Sequence, residues 1–470
     1  MVVAMTHTKY LGSASFYRQA LSLGLPVMLQ VLIQNLVSLI DNFMVAGLGD
    51  VKMSGVNITN TLLFVFFVAL NTLVSAGGIF MSQFNGAKDE RGMQNTFRFK
   101  LIAAMGLAGL FIMISTVFPA QILGLLVNVN TQGPEIVVQG KIYLSVITLT
   151  FLPIAISVAI GSSLREIGIV RPPLVITVIA TLINTFLNWV LIYGNLGAPR
   201  LEVAGAGYAT LIARMCELIM FIVYIRKTRP AFYIKARTVF MVNLKLFISI
   251  LKKGGIIFLS EMSWVITETV MIAAYNGRGG AEIVAGMAAA WAIANIFMLV
   301  FGGIHTAVGV IVGGTLGRNE LELAQEQARW LRTGAIIMGV FVAIIEAFSV
   351  FIIPIVFGNL SVDAQQVTRG MLWVISFYMP LWTYLNAQFA TARSGGDAIM
   401  GAWVDGSVNT IVFLPAILLL TFFTGLGPIE IYAIVKITDF IKVAIAHWQL
   451  HTGRWIKNLA NEHRQDPVSI

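Results

Sequence analysis

The chain has 470 residues, of which 57% are hydrophobic and only 11% are charged, and its formal net charge is +9. A soluble domain carries about 25% charged residues. The chain therefore lacks the polar surface that a globule needs in water, and its composition argues against a soluble enzyme, a disordered tail and a fibrous protein. A helical membrane protein with many spans is the class that this composition favours.

Twelve apolar stretches are long enough to cross a bilayer as helices, since a spanning helix needs about 20 mostly apolar residues. Their continuous runs differ from the alternating segments that build a membrane barrel. The first 16 residues lack the apolar core of a cleavable signal peptide, so we expect the first span to be retained. The predicted spans are 17–45, 54–82, 99–120, 137–163, 173–195, 203–226, 250–275, 284–313, 327–357, 367–391, 399–424 and 430–450.

The distribution of Lys and Arg orients these spans, because the cytoplasmic loops of membrane proteins are enriched in both. With the N-terminus inside, 23 of the 31 basic residues fall in inner segments and five in outer loops. We therefore expect a multi-pass protein of the plasma membrane with both termini in the cytoplasm. The basic charge is then a topology signal and predicts no nucleic-acid partner.

The two halves of the chain resemble each other. At an offset of 231 residues, Gly86 corresponds to Gly317 and Arg98 to Arg329. The predicted fold is an all-α polytopic membrane protein with twelve transmembrane helices in two pseudo-symmetric six-helix lobes. Each half has an even number of spans, so the lobes are parallel repeats, as in secondary transporters; the alternative is a duplication kept only for packing. The predicted domains are an N-terminal cytoplasmic segment 1–16, an N-terminal lobe 17–226, a basic cytoplasmic linker 227–249, a C-terminal lobe 250–450 and a cytoplasmic tail 451–470.

Motifs for nucleotide or metal chemistry are missing from the sequence. It has no phosphate-binding G-x-x-x-x-G-K-[ST] loop, and its five His residues form no H-E-x-x-H motif. We therefore expect no cofactor, no ATP-driven transport and no membrane-embedded enzyme. An ion gradient remains as the energy source. We interpret His305 as a hydrogen-bonded packing residue.

Seven acidic residues lie in the interior of predicted spans, where a charge at the helix centre costs at least about 2.5–3.5 kcal/mol. Arg214 and Glu217 are three residues apart and share a helix face, which predicts a local ion pair. Lys436 and Asp439 have the same spacing, and Lys442 follows three residues later. These pairs predict structural roles for the acids they contain. The seven acids are Asp41, Glu217, Glu261, Glu268, Glu346, Asp405 and Asp439.

Asp41, Glu261, Glu268 and Glu346 have no basic residue three or four positions away. Glu261 and Glu268 lie two turns apart on one face of the seventh span. Such carboxylates could exchange protons or bind Na⁺ through oxygen ligands. The simpler alternatives are an Asp41 hydrated from outside and a Glu261 that hydrogen-bonds to Ser, Thr or Asn on a neighbouring helix.

Asn184 and Asn188 are four residues apart and stack on one face of the fifth span. Buried amides require hydrogen-bond partners. Asn184 and Asn188 therefore either hydrogen-bond to a neighbouring helix or serve as oxygen ligands and neighbours of a coupling ion.

Six segments, in this order on a duplicated frame, resemble the multidrug and toxic compound extrusion (MATE) family over roughly residues 17–450. The resemblance implies export of amphipathic, often cationic organic compounds against inward flow of Na⁺ or H⁺. Small organic substrates and membrane lipids are then the expected partners, and we expect a monomer. The segments are LPVMLQVLIQNLVSLIDNFMVAGLG (25–49), SAGGIFMSQFNGAKDE (75–90), SLREIGIVRPP (163–173), NTFLNWVLIYG (184–194), VAGAGYATLIAR (203–214) and TAVGVIVGGTLGRNE (306–320).

The same resemblance implies a cation-coupling site in the N-terminal lobe, on the first, fifth and sixth helices. Some members have Asp where this chain has Asn188, so the local negative charge is lower here and the coupling ion, Na⁺ or H⁺, stays open. The matching positions in this chain are Asp41, Asn184, Asn188, Ala206 and Thr210.

In the C-terminal lobe, Glu261 matches the acid that one branch of the family carries on the seventh helix. That branch also has an Asp on the tenth helix, eleven residues before an Arg, and this position is Trp382 here. Glu268 and Asp405 are the candidates to replace the missing carboxylate in a cation or substrate site.

The mechanism that we hypothesise is alternating access. Neutralisation of Asp41 by the coupling ion lets the first helix bend at the helix-breaking Pro26, which contracts the substrate pocket. The rival within the same superfamily is a flippase for a lipid-linked precursor, which would favour a more basic cavity than the few basic residues in the spans provide.

Overall fold

The computed structural model of the chain describes residues 10–126, 133–276 and 280–462, with the side chains of 275 and 276 excepted. The predicted cytoplasmic segment 1–16 and tail 451–470 therefore lie partly outside the described residues. Within the described ranges the chain is helical and contains no β-strand. This confirms the all-α class predicted from composition.

Among the described residues, eight α-helices occupy the first half of the chain and eleven the second. The helices of the first half are α1 Ala14–Ala46, α2 Asp50–Gly86, α3 Glu90–Val117, α4 Pro119–Leu125, α5 Gly133–Ile147, α6 Phe151–Glu166, α7 Arg171–Tyr193 and α8 Glu202–Thr228. Those of the second half are α9 Leu244–Asn276, α10 Ala281–Met298, α11 Val300–Gly317, α12 Leu321–Phe348, α13 Ile353–Val356, α14 Val362–Ser394, α15 Ala398–Ser407, α16 Leu414–Phe423, α17 Pro428–Val435, α18 Thr438–His451 and α19 Leu459–Glu462.

Ten of the twelve predicted spans correspond to described segments that are long and apolar enough to cross a membrane. The other two are helix α14 and the segment formed by α17 and α18. The last predicted span is broken at Lys436 and Ile437, between α17 and α18. Polar groups of α14 and α18 line an internal cavity, which explains why these segments are less apolar than the rest.

The described residues divide into two compact units. The N-terminal unit comprises 29–81 and 89–251, and the C-terminal unit comprises residues up to Met28, 82–88 and 252 onwards. Helix α1 therefore contributes to both units, with its division two residues beyond Pro26. The lobe boundaries given by the sequence stay a prediction.

Each unit has its own apolar core. In the N-terminal unit, the rings of Phe66, Phe111 and Phe151 meet edge to face, with centroids 4.7–5.8 Å apart. In the C-terminal unit, Tyr378 stacks on Trp382 at 6.1 Å within a larger cluster from α10, α12 and α14. These cores fix the helices that carry the polar residues described below.

The repeat relation has a direct structural counterpart inside the C-terminal unit. A Cβ on Gly86 would lie 1.9 Å from the carbonyl oxygen of Gly314, and one on Gly317 would lie 1.9 Å from that of Gln83. Gly86 corresponds to Gly317, and Gln83 to Gly314, at the offset of 231 residues. The ends of α2 and α11 thus cross through equivalent residues of the two repeats, and only glycine permits the backbones to come so close.

Candidate functional site

Asp41, near the end of α1, is held by two amides of helix α7. The Nδ2 of Asn188 donates to Oδ1 of Asp41 at 2.9 Å. The amide of Asn184, oriented so that donor meets acceptor, donates to Oδ2 at 2.8 Å. Both carboxylate oxygens are thereby engaged, and no ion pair to Asp41 occurs among the described residues.

The spacing of the two amides explains this arrangement. Asn184 and Asn188 are one turn apart on α7, so both side chains project from the same face toward α1. Asn188 is only 3% exposed, and its Oδ1 has no hydrogen-bond partner in the part of the chain that the structure describes. A buried carbonyl oxygen without a donor, beside a carboxylate, offers oxygen ligands to a small cation.

Helix α8 supplies the remaining residues of the predicted N-terminal site. The backbone N–H of Thr210 lies 3.2 Å from the amide oxygen of Asn184. The hydroxyl of Thr210 donates to the carbonyl of Ala206 at 3.0 Å. Ala206 therefore acts through its backbone, and the structure brings all five predicted residues together.

A polar network on the neighbouring turns of α7 and α8 supports the position of these helices. Gln30 donates to the Thr177 hydroxyl at 3.1 Å, and this hydroxyl donates to Glu217 at 3.1 Å. Arg214 contacts Glu217 at 2.8 Å, which confirms the ion pair predicted from their spacing. The positive charge of Arg214, which lies one turn after Thr210, is thus already paired with Glu217.

A second polar site is a cavity of about 300 Å³ in the C-terminal unit. Glu261, Glu268 and Asp405 all line it, as does Trp382. Four acids and three bases face the cavity together with six aromatic rings. The charged residues are Glu261, Glu268, Asp405, Asp439, Arg393, Lys436 and Lys442, and the rings are those of Trp264, Trp291, Phe301, Trp382, Phe389 and Phe413.

The acids of α9 are paired with bases that lie far away in the sequence. Arg393 on α14 contacts Glu261 at 3.1 Å, and Lys436 contacts Glu268 at 2.8 Å. The alternative of a Glu261 that hydrogen-bonds to Ser, Thr or Asn is therefore wrong. The spacing of three or four residues detects only pairs on the same helix. It missed these two ion pairs, because each joins residues more than a hundred positions apart in sequence.

Lys442 is shared by two carboxylates, at 3.4 Å from Asp405 and 3.2 Å from Asp439. The local ion pair predicted for Asp439 is confirmed with Lys442, three residues along α18, whereas Lys436 contacts Glu268. Asp439 also accepts a hydrogen bond from the indole of Trp382 at 2.8 Å. The carboxylate beside Trp382 is thus that of Asp439 on α18. The sequence analysis predicted only a local structural ion pair for this residue.

Two further polar side chains line this cavity, those of His305 and Asn409. His305 contacts Asn386 at 3.1 Å, which confirms its prediction as a hydrogen-bonded residue. Asn409 lies in a π-helical turn, Val408–Phe413, and its Nδ2 is buried without a partner among the described residues. Such turns commonly mark functional sites in helices. An unusual turn of this kind gives no signal in a single sequence.

Glu346, the fourth acid without a local partner, lies apart from these sites. Its side chain is fully buried in α12, and neither carboxylate oxygen has a hydrogen-bond partner among the described residues. Nothing in the structure assigns it to the cavity.

The model of the MatE family matches residues 26–190 and 256–424, which cover both halves of the chain and include Asp41, Asn184, Asn188 and Glu261. The chain belongs to the MatE family. Members of this family are transporters and not enzymes, so this protein is a multi-pass membrane transporter.

Curated relatives of this MatE chain match it along most of their length. The probable multidrug resistance protein NorM of Halalkalibacterium halodurans is 27% identical over 451 residues, which are 91% of this chain and 93% of the relative. The probable multidrug resistance protein NorM of Bradyrhizobium diazoefficiens is 25% identical over 461 residues, 91% of each chain.

Solved structures share the fold of this MatE chain. A MATE structure in the bent conformation aligns with a TM-score of 0.83 at 18% identity, covering 95% of this chain and 97% of that one. A MOP superfamily transporter from Pyrococcus furiosus aligns with a TM-score of 0.81 at 18% identity, covering 97% and 98%. The likeness confirms the predicted fold class of twelve transmembrane helices in two six-helix lobes.

Proposed function

We propose that this MatE transporter is a cation-coupled antiporter that exports amphipathic, often cationic organic compounds in exchange for Na⁺ or H⁺. The observation that carries the proposal is the Asp41 carboxylate, which is held between Asn184 and Asn188 with no basic partner among the described residues. The relatives named as multidrug resistance proteins support the substrate class.

Neutralisation of Asp41 is the proposed coupling step. An ionised carboxylate favours a bound organic cation, and a carboxylate that has taken up H⁺ or Na⁺ no longer does. The two ions would use the site differently: a proton would bind the carboxylate, and Na⁺ would also draw on the unpartnered Oδ1 of Asn188. Because the two ligands favour different states of the transporter, the ion gradient shifts its populations and drives export.

The cavity of the C-terminal unit supports a role for Glu261, Glu268 and Asp405 in binding a cation or the substrate. Glu261 and Glu268 each have a basic partner, whereas Asp405 and Asp439 share Lys442. The cavity therefore carries one carboxylate in excess, next to aromatic rings that suit apolar parts of a cation. This excess of acid does not favour the alternative of a flippase for a lipid-linked precursor.

Pro26 is the proposed hinge of helix α1. Proline lacks the N–H that would bond to the preceding turn and therefore weakens a helix at that point. The division of α1 between the two compact units, just beyond Pro26, supports bending there. We further propose that both termini lie in the cytoplasm, that the membrane is the plasma membrane and that the protein acts as a monomer.

Substitution Asp41→Asn tests the proposal. In proteoliposomes that hold a fluorescent organic cation, we expect the variant to show efflux close to that of empty vesicles under any imposed ion gradient. Asp50→Asn, which removes an exposed acid at the start of α2, is the matched control and should transport at the parent rate. Parent-like transport by Asp41→Asn would contradict the central role of this carboxylate.

A further inference from the structure

Two exposed histidines lie one turn apart at the end of helix α18, away from the sites described above. The Nε2 atoms of His447 and His451 are 3.1 Å apart. The ring centroids are 4.6 Å apart with the planes inclined by 66°, so the two imidazoles converge at their Nε2 edges. No step of the proposed transport mechanism uses either residue.

This separation fits one shared metal ion. Imidazole nitrogen binds Zn²⁺ at about 2.0–2.1 Å. Two nitrogens that are 3.1 Å apart then subtend an angle of roughly 95–100° at the ion. That angle lies between the values of octahedral and tetrahedral coordination, so an ion can bind both nitrogens with little movement of either ring.

A neighbouring helix orients the first of these rings. The hydroxyl oxygen of Tyr384, on α14, lies 3.0 Å from Nδ1 of His447. When Nδ1–H donates to this oxygen, the lone pair of Nε2 is left free to bind a metal, and the ring is fixed in the direction of His451. Metal-binding histidines commonly have such a hydrogen bond on their second nitrogen.

We propose that His447 and His451 form a binding site for one divalent transition-metal ion, with Tyr384 as the residue that positions His447. Imidazole ligands suit Zn²⁺, Cu²⁺ and Ni²⁺. No group of three or more His, Cys, Asp or Glu side chains suitable for a metal occurs in the described part of the chain, so water completes the coordination. The ion is therefore exchangeable, and affinity rises from Co²⁺ through Ni²⁺ to Cu²⁺.

Titration of the full-length protein with Cu²⁺ tests this site. The protein is purified in detergent with a tag that contains no histidine, stripped with a chelator and followed by electron paramagnetic resonance. One equivalent of Cu²⁺ should give a spectrum with hyperfine splitting from two imidazole nitrogens. His447→Ala and His451→Ala should each abolish the two-nitrogen spectrum, and Tyr384→Phe should weaken binding by about tenfold, as loss of an orienting hydrogen bond typically does.

Gln449→Ala is the matched control, because it changes the same turn of α18 and keeps both imidazoles. It should bind Cu²⁺ as the parent does. His447 and His451 are exposed, and Tyr384 and Gln449 are partly exposed. Equal melting temperatures without metal will show that the four variants are folded. A two-nitrogen spectrum that persists in either His→Ala variant, or that is missing in the parent, would overturn the proposal.

Discussion

The ion pair between Lys436 and Glu268 shows how a single buried contact shapes the cavity of the C-terminal unit. The side chains are 9% and 14% exposed and 2.8 Å apart. The ammonium group also lies 5.6 Å from the ring centre of Trp382 and 5.2 Å from that of Phe413. Removing one partner leaves the other as an uncompensated buried charge, which costs more than the pair itself contributes.

Lys436→Met should therefore destabilise the protein by about 3 kcal/mol, and adding Glu268→Gln should restore most of the loss. The reason is that the double variant removes both members of the pair and leaves neither Lys436 nor Glu268 as an uncompensated charge. Thermal melts of both single variants and the double variant in detergent measure this difference. Additive losses would show that Lys436 and Glu268 do not depend on each other.

Local spacing and the family resemblance together predicted the residues of the N-terminal site. Asn184 and Asn188 share a face of one helix by periodicity alone, and the resemblance to the MATE family placed Asp41 beside them. The pairs Arg393–Glu261 and Lys436–Glu268 could not be predicted, because they depend on which helices pack together. The same limit hid Asp439, whose position next to Trp382 follows from the packing of α18 on α14.

At the scale of the helices, the crossing of α2 and α11 depends on glycine. Gly86→Ala would place a methyl group 1.9 Å from a backbone carbonyl, which no side-chain rotation can relieve. We expect a loss of roughly 1–3 kcal/mol or more in stability, seen as a lower melting temperature. Gly106→Ala in α3 is the control, since nothing lies within 4 Å of its added methyl group. Equal stability of the two variants would contradict the close crossing.

The substitution Pro26→Ala tests the proposed hinge in helix α1. Pro26→Ala supplies the missing N–H and removes the steric conflict with the preceding turn, so it should stiffen the helix. The expected result is slower gradient-driven efflux with an unchanged or higher melting temperature. A variant that is as stable as the parent and transports at the parent rate would rule out bending at Pro26 as a required step.

Helix positions were predictable because apolar runs of this length have one stable form in a bilayer. The break at Lys436 and Ile437 was missed because a few polar residues between two apolar runs do not by themselves predict the end of a helix. Helix α14 contains the predicted span 367–391. The polar residues that lower its hydropathy line the cavity.

At the scale of the whole molecule, the few charged residues are unevenly distributed. Most of the acids inside the predicted spans gather at two places, around Asp41 in the N-terminal unit and around the cavity of the C-terminal unit, and Glu346 lies apart from both. Most of the other charges lie in the predicted loops and tails. This distribution agrees with the proposal that the few intramembrane carboxylates bind ions and substrate, because acids inside membrane spans usually serve a function.

The central claim is that an ion gradient drives export through this chain. The most direct measurement is efflux of a fluorescent organic cation from proteoliposomes of the parent protein, under a Na⁺ gradient alone and then under a proton gradient alone. We predict that at least one gradient drives transport above the rate of empty vesicles. A gradient that drives none identifies an ion that is not coupled. Absence of transport under both gradients would contradict the antiporter.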